Sequence, residues 1–273
     1  MKKILALVLA TLMMLSLAAC GGKDGVDPTS ATANGDTTAA ADSDLAYIKE
    51  KGTLIVGITD YAPMDYQEAG SDEWTGFDAE FARAVAKELG VTAEFIEIDW
   101  DNKVFELNAK TIDCVWNGMT ITDEMLAAAS VSDPYVKNAQ VVVMAKDKLD
   151  SYATVESLAD LKFAAEAGSA GAKELQNAGL EYTEVLTQAD ALKEVKSGAV
   201  DACVIDITMA NAMTGEGTSY ADLGYSLELS TEEYGIAFRQ GSDVTAAVNE
   251  IMDQFKADGT LQDLADKYEL TLA

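Results

Sequence analysis

Residues 112–135 constrain the fold most strongly, because a predicted buried strand in this stretch ends abruptly at a turn. The stretch reads IDCVWNGMTITDEMLAAASVSDPY. Its apolar and β-branched start predicts a strand, and Asn117-Gly118 breaks it where the missing side chain lets another molecule approach the backbone. Thr120 adds a hydroxyl group, and Asp123 is a candidate cap for a short helix. Because open α/β proteins bind ligands where strands end at a crevice, this break is a candidate binding site.

A second segment repeats this design later in the chain. The segments TIDCVWNG (111–118) and AVDACVID (199–206) each follow a predicted helix and carry an aspartate at the start of a strand. A special residue stands five positions after that aspartate, Gly118 in the first segment and Asp206 in the second. Two lobes of similar construction would direct both strand ends into one cleft.

The composition excludes several classes of protein. The 273 residues include 47 acidic and 19 basic side chains, which give a formal net charge of −28, and there is no histidine. Such a charge repels phosphate backbones, so we predict no binding to nucleic acids. Nucleophile systems and zinc sites that depend on histidine are excluded, and three scattered cysteines cannot form a four-thiolate site. We therefore predict no metal and no cofactor.

The N-terminus is typical of a lipid-anchored protein. Residues 1–19 form a predicted signal peptide, with two lysines before a short apolar run. The segment LAAC, which ends at Cys20, resembles a lipobox, which is cut before the cysteine while the thiol is diacylated. The alternative is an ordinary signal peptide with an incidental cysteine. Residues 20–44 lack aromatic residues and are rich in small and polar ones, which predicts a flexible tether.

From about residue 45 to the C-terminus, the motifs resemble those of bacterial extracellular solute-binding protein family 3, the substrate-binding lipoproteins of ABC transporters for polar amino acids. The matching motifs are GFD (76–78), GMTITDE (118–124), SDPY (132–135) and EYGIAF (233–238). The resemblance implies an α/β, two-lobed periplasmic-binding-protein type II fold with two crossover strands as the hinge. Lobe 1 would comprise residues 45–137 plus 234–273, and lobe 2 residues 138–233.

The resemblance also implies ligand-binding roles. The aromatic rings of Tyr61 and Trp100 would cover the ligand, a glycine turn at residues 168–171 would hold a carboxylate, and Asp206 would receive an ammonium group. Each residue has a structural alternative: Tyr61 could only pack its loop, the turn could be only tight, and Asp206 could only cap a helix. The predicted ligand-binding residues are Asp60, Tyr61, Trp100, Gly118, Met119, Thr120, Met125, Glu166, Ser169, Ala170 and Asp206.

Two departures from the family pattern concern the ligand. Met125 stands where the signature has an arginine that clamps a carboxylate, and Glu166 stands where some members have a basic residue. A cleft with acids at Asp60, Asp65, Glu166 and Asp206 beside aromatic rings favours a cation. Two ligands stay open. One is an amino acid, its carboxylate held by Thr120, by backbone N–H groups and by a lysine. The other is a cationic, betaine-type amine without an α-carboxylate.

The resemblance implies capture of a small solute by lobe closure and its delivery to an ABC permease and its ATPase. The protein would act as a monomer at the outer face of the cell membrane, anchored by the lipid on Cys20. A sensory role, in which ligand capture is signalled rather than used for transport, is a related possibility. A dehydratase-type enzyme on the same scaffold is the rival, with Glu166 or Asp65 as acid or base. A dehydratase for a dicarboxylate should keep basic residues in the cleft, so we predict that the chain is not an enzyme.

Overall fold

The computed structural model describes residues 43–273. The predicted signal peptide, Cys20 and the tether up to residue 42 lie outside this range. Helix α1 begins at Asp44 and is capped by Ser43, whose Oγ accepts from Ala46 N–H at 3.0 Å. The last two residues of the predicted tether therefore belong to the folded part of the chain.

Within residues 43–273, helices and strands alternate along most of the chain. The α-helices are α1 Asp44–Lys51, α2 Phe77–Leu89, α3 Lys103–Asn108, α4 Asp123–Ala128, α5 Ala170–Asn177, α6 Gln188–Ser197, α7 Ile207–Met213, α8 Val244–Asp258 and α9 Thr260–Lys267. The strands are β1 Thr53–Ile58, β2 Tyr66–Gln67, β3 Trp74–Thr75, β4 Thr92–Glu97, β5 Cys114–Val115, β6 Ser130–Val131, β7 Val136–Ala145, β8 Phe163–Glu166, β9 Tyr182–Val185, β10 Ala202–Asp206, β11 Leu223–Tyr234 and β12 Ala237–Phe238. Short 3-10 helices cover Trp100–Asn102, Lys146–Ser151 and Val155–Leu158.

The strands form two five-stranded sheets. The first has the order β4-β1-β5-β12-β6, and the second has the order β11-β7-β10-β8-β9. The chain leaves the first sheet after β6 and returns to it with β12, so it passes between the sheets twice. We call the part with the first sheet lobe 1 and the part with the second sheet lobe 2. The predicted two-lobed α/β fold is confirmed, while the exact lobe boundaries stay a prediction.

The two connections between the lobes lie side by side. Strands β7 and β11 pair antiparallel from Val136 opposite Tyr234 to Ala145 opposite Leu223. Tyr135 and Tyr234 are fully buried, and their ring centroids lie 6.2 Å apart. Phe77 stacks on Tyr135 at 6.0 Å, so helix α2 packs directly against the hinge region.

Two aspartates at helix starts, one of them the predicted cap Asp123, do not cap their helices. Asp78 does not cap α2, which begins after Gly76; its carboxylate accepts from Gly118 N–H at 2.6 Å and from Tyr135 OH at 2.8 Å. Helix α4 is capped by Thr122, the residue before Asp123, and Thr122 Oγ1 accepts from Met125 N–H at 3.1 Å. The cap position is taken by the flexible Gly76 in α2 and by Thr122, which has an extended backbone, in α4. Neither aspartate is therefore needed as a cap.

Candidate ligand-binding site

A cavity of about 710 Å³ lies between the lobes, at the ends of strands from both sheets. Helices α3 and α4 border it on lobe 1, and helices α5 and α6 border it on lobe 2. Every predicted ligand-binding residue except Asp60 lines this cavity. The structure therefore brings together residues that lie up to 145 positions apart, from Tyr61 to Asp206.

The predicted positions of two acids are wrong. Asp60 is exposed at the end of β1, because the neighbouring Tyr61 takes the inward position. Asp65 is fully buried beneath the same loop rather than at the cavity rim, and its Oδ2 accepts from Asn117 Nδ2 at 2.8 Å. Neither carboxylate lines the cavity, so its negative charge comes from other residues.

Tyr61 lies against the Gly118 turn and is tied to both lobes. A Cβ atom at Gly118 would lie 2.5 Å from Tyr61 Cε1, and the φ angle of Gly118 is +55°. The glycine therefore admits the protein's own tyrosine ring, where the sequence suggested approach by another molecule. The Tyr61 hydroxyl is 2.6 Å from Thr208 Oγ1 and 2.5 Å from Tyr234 Oη, which fixes the ring at the cavity wall.

Trp100 lines the cavity with one face already covered by a lysine. Lys103 Nζ lies 4.8 Å from the centroid of the Trp100 ring. The same ammonium donates to the carbonyl of Trp100 at 3.2 Å and to the carbonyl of Gly168 at 2.9 Å. Lys103 stands on lobe 1 and Gly168 on lobe 2, so this side chain bridges the cleft. Burial lowers the pKa of Lys103, an effect that Glu166, Asp101 and Glu124 oppose.

Asp206 ends strand β10 and is held by a dense set of donors. Its side chain does not cap the following helix, so the capping alternative is wrong. Oδ1 accepts from Gln140 Nε2 at 2.8 Å, from Tyr234 OH at 3.0 Å and from Asn138 Nδ2, while Oδ2 accepts from Gln188 Nε2. The carboxylate is thereby fixed in one orientation at the cavity wall, with 4% of its surface exposed.

The charge of Asp206 is opposed by its surroundings. Burial, and after it the nearby Glu232, raises the pKa of Asp206 to about 7, although the hydrogen bonds from Gln188, Tyr234 and Asn138 act in the opposite direction. Glu232 is close because Asn138 and Gln140 donate to its Oε1 as well, at 2.6 and 2.8 Å. A cation in the cavity would relieve this repulsion, which makes the site chemically suited to an ammonium group.

The glycine turn offers less to an anion than the sequence suggested. Ser169 caps helix α5 with its Oγ, which accepts from Ala172 N–H at 3.1 Å. Ser169 N–H donates to the Glu166 carbonyl at 3.2 Å and is therefore occupied. Ala170 N–H, at the first position of α5, has no partner among the described residues and lies at the cavity wall. The helix terminus can still attract a negative group there.

The cavity contains no arginine among residues 43–273. Arg83 packs over the Phe95 ring at 4.8 Å, and Arg239 pairs with Asp44 at 2.9 Å inside lobe 1. Met125 lines the cavity at 5% exposure, and Thr120 Oγ1 donates to Glu232 Oε1 at 2.8 Å. Cys114 and Cys203 are buried, free thiols in different lobes.

The described residues give no metal site and no membrane span. Between residues 43 and 273, no group of three or more cysteine or acidic side chains is arranged to hold a metal ion. No helix in the same range is long and apolar enough to cross a membrane.

Comparison with known proteins decides the family. The model of bacterial extracellular solute-binding proteins, family 3, matches residues 54–271. The chain belongs to this family.

Relatives and solved structures agree with the membership. The L-cystine-binding protein TcyA of Bacillus subtilis strain 168 is 33% identical over 276 residues, which cover 98% of this chain and 97% of that protein. A solved ancestral arginine-binding protein with bound arginine is 33% identical, with a TM-score of 0.74, and the match covers 80% of this chain and 98% of that one. The ancestral amino acid-binding protein AncCDT-1, described as a precursor of cyclohexadienyl dehydratase, is 32% identical with a TM-score of 0.77, over 83% of this chain and 99% of that one.

Several cavity residues of this family-3 protein were missed by sequence reasoning. Lys103 and Gln188 line the cavity, and Asn138, Gln140 and Tyr234 hold Asp206 from behind. One signal was available: Asn138 and Gln140 are polar and two positions apart in a strand that is otherwise apolar except for Lys137, so both point to one face of the sheet. Nothing in the local pattern marks Lys103 or Gln188.

Proposed function

We propose that this family-3 protein is the substrate-binding component of an ABC importer and that it captures an amino acid or a related small polar amine. The observation that carries the proposal is the fixed, buried carboxylate of Asp206 in a cavity walled by both lobes. Closing the lobes around a ligand removes both partners from water, which strengthens the attraction between this carboxylate and an ammonium group. The bound ligand thereby stabilises the closed form.

The proposed contacts divide the ligand between the lobes. Asp206 takes the ammonium group, and Ala170 N–H takes a carboxylate, beside Thr120, whose hydroxyl proton is already donated to Glu232. Tyr61 and Trp100 form the aromatic walls. The remaining predicted positions Gly118, Met119, Met125, Glu166 and Ser169 complete the lining.

The names of the relatives favour an amino acid but do not select one. TcyA is named for L-cystine and the ancestral structure for arginine, at the same 33% identity to this chain. A cationic amine without a carboxylate is the second candidate, because the cavity holds the acids Glu166 and Asp206 and no arginine among the described residues.

The setting of the protein follows from the family and from the N-terminal sequence. In this proposal, the lipid on Cys20 anchors a monomer to the outer face of the membrane, and residues 20–42 connect it to the folded lobes. The closed protein then delivers its solute to a membrane permease that is driven by an ATPase. The hinge lies at the predicted lobe boundaries 137/138 and 233/234.

We do not assign catalysis to this chain. Its relatives are named as binding proteins, although AncCDT-1 is described as a precursor of a dehydratase. A dehydratase for a dicarboxylate needs cations free to bind it; the two arginines lie outside the cavity, and the ammonium of Lys103 is bound to the carbonyls of Trp100 and Gly168. Turnover of a candidate substrate, as opposed to binding alone, would contradict this part of the proposal.

A thermal-shift screen tests the function. The purified protein is heated with each common amino acid and with polyamines, betaines and other small amines. A true ligand at roughly a hundred times its Kd should stabilise the protein by about 2.7 kcal/mol. The proposal predicts that at least one α-amino acid or small amine raises the unfolding midpoint. If sugars, dicarboxylates or peptides gave the only shifts, the proposal would be wrong.

A further inference from the structure

Glu166 carries a buried carboxylate oxygen that the protein does not satisfy. The residue ends strand β8, lines the cavity and is 3% exposed. Its Oε1 is buried and has no hydrogen-bond partner within residues 43–273. An unpaired buried acid is costly, since it has lost its water and gained nothing in exchange. A partner that arrives with the ligand would remove this cost.

The carboxylates of Glu166 and Asp206 repel each other, and the side-chain amide of Gln188 lies close to both. The amide of Gln188 donates to Asp206 and also lies close enough to Glu166 to lower its pKa. Burial, and after it the charge of Asp206, nevertheless raises the pKa of Glu166 well above its usual range. The two carboxylates thus form one acidic subsite on lobe 2, in which Asp206 is held by four protein donors and one buried oxygen of Glu166 has no partner among the described residues.

The nearest cation does not fill the gap. Lys103 lowers the pKa of Glu166 from a distance, but its ammonium donates to the carbonyls of Trp100 and Gly168. No ion pair joins Lys103 to Glu166 among the described residues. Lys103 is therefore committed to bridging the lobes, and the open oxygen of Glu166 is left for a group that comes with the ligand.

From this geometry we infer that Glu166 is a second ligand-binding carboxylate, which selects amino acids with a further cationic group beside the α-ammonium. The inference rests on the proposed function, in which Asp206 takes the α-ammonium. If the single ammonium of an amino acid binds Asp206, the buried Oε1 of Glu166 still has no partner among the described residues. An ammonium or guanidinium on the ligand side chain supplies the missing donor and charge.

Matched ligand pairs test the inference without knowledge of the natural solute. Each pair has nearly the same shape and differs by one positive charge: ornithine and norleucine, and arginine and citrulline. Calorimetric titration of the wild-type protein should show that the cationic member of at least one pair binds about tenfold tighter or more, because a hydrogen bond to a buried charge is at stake. The Glu166→Gln variant should lose this preference while it binds the neutral member as before.

A control variant separates the subsite from the overall charge. Glu181→Gln removes the same charge from an exposed position of lobe 2 outside the cavity, and it should keep the wild-type preference. Wild-type protein without any charge preference, or Glu166→Gln with the full preference, would overturn the inference while the proposed function stands. If none of these compounds bound to the wild-type protein, the inference would be overturned, whereas the proposed function would be contradicted only if the thermal-shift screen also gave no amino acid or small amine as a ligand.

Discussion

Individual acids in the interior dominate the chemistry of this protein. Asp206 and Glu166 line the ligand cavity, and Asp78 lies under it, where its carboxylate accepts the N–H of Gly118. Burial, as the largest effect, raises the pKa of Asp78 and of Asp206 to about 7, and it raises the pKa of Glu166 well above its usual range. The folded protein therefore holds protons that the unfolded chain would release.

This difference predicts that the protein loses stability as the pH rises. Unfolded aspartate and glutamate release their protons near about pH 4, whereas the folded groups keep theirs to about pH 7. Because the folded state binds more protons in this window, the free energy of unfolding should fall across it. The stabilisation is complete below the window and is lost above it. Thermal unfolding at constant ionic strength, from about pH 5 to about pH 8, measures the effect.

A variant identifies the responsible groups. Asp206→Asn should flatten the dependence of the unfolding midpoint on pH, since the variant lacks one of the raised pKa values. Carboxyl groups such as Asp201 and Asp258, whose pKa is lowered by hydrogen bonds, titrate below this window and do not contribute. A midpoint that rises from the acidic to the alkaline end would contradict the raised pKa values.

For individual residues, the sequence predicted positions in the cavity better than it predicted hydrogen-bond partners. The positions that line the cavity were predicted well, because glycine turns and acids at strand ends carry a recognisable pattern. The hydrogen-bond partners of these residues were not predictable. Aspartates at helix starts are typical caps, but neither Asp78 nor Asp123 caps its helix, and Asp78 accepts hydrogen bonds from distant segments. Short-range sequence patterns cannot distinguish a cap from an acceptor for a distant segment.

At the scale of elements, most helices and strands were predictable from periodicity and glycine positions. Helix α2 has a buried stripe of Phe81, Val85 and Leu89 and ends at Gly90 in the left-handed conformation. The contact between elements across the cleft was not predictable, because it depends on how the lobes meet. Gly168 is the clearest case: a Cβ atom there would lie 2.9 Å from the Cα of Asp101 on the opposite lobe.

The Gly168 contact predicts a defect in closure. In Gly168→Ala, the new methyl group would also meet Asp101 Oδ1 at 2.6 Å, and the φ angle of +67° is unfavourable for alanine. Because the contact involves the backbone of Asp101, it cannot be relieved by turning a side chain, and the closed form should be disfavoured. Ligand affinity should therefore fall by about tenfold or more. Calorimetric titration with the ligand found in the screen measures the loss.

Gly198→Ala is the matched control for this variant. Gly198 caps α6 with a φ angle of +78°, but no atom lies within 4 Å of a Cβ placed there. The Gly198→Ala variant carries a similar backbone strain without a contact between the lobes, so its affinity for the ligand should equal that of the wild type. Equal affinities for both variants would mean that the lobes need not approach at Gly168 in the liganded state.

The whole molecule is a pair of sheets joined by two adjacent connections, with a polar cavity where the lobes meet. Its fold class and family follow from the sequence, since the motifs occur in the family's order. The ligand does not follow, because Met125 and Glu166 depart from the pattern, and Lys103, a lysine in the cleft, is committed to backbone carbonyls of both lobes. The architecture accordingly predicts capture between the lobes, with Asp206 as the anchor.

The most direct test of this account is calorimetric titration of wild-type protein, Asp206→Asn and Asp160→Asn with the ligand that gives the largest thermal shift. Asp160→Asn changes the same residue type at an exposed position of lobe 2 and serves as the control. The Asp206→Asn variant should bind the ligand about a hundredfold more weakly or worse, because one partner of a buried charge pair is lost. The Asp160→Asn variant should bind it like the wild type. Wild-type affinity in the Asp206→Asn variant would show that the ammonium is bound elsewhere, and it would contradict the assignment of Asp206 as the anchor of the ligand.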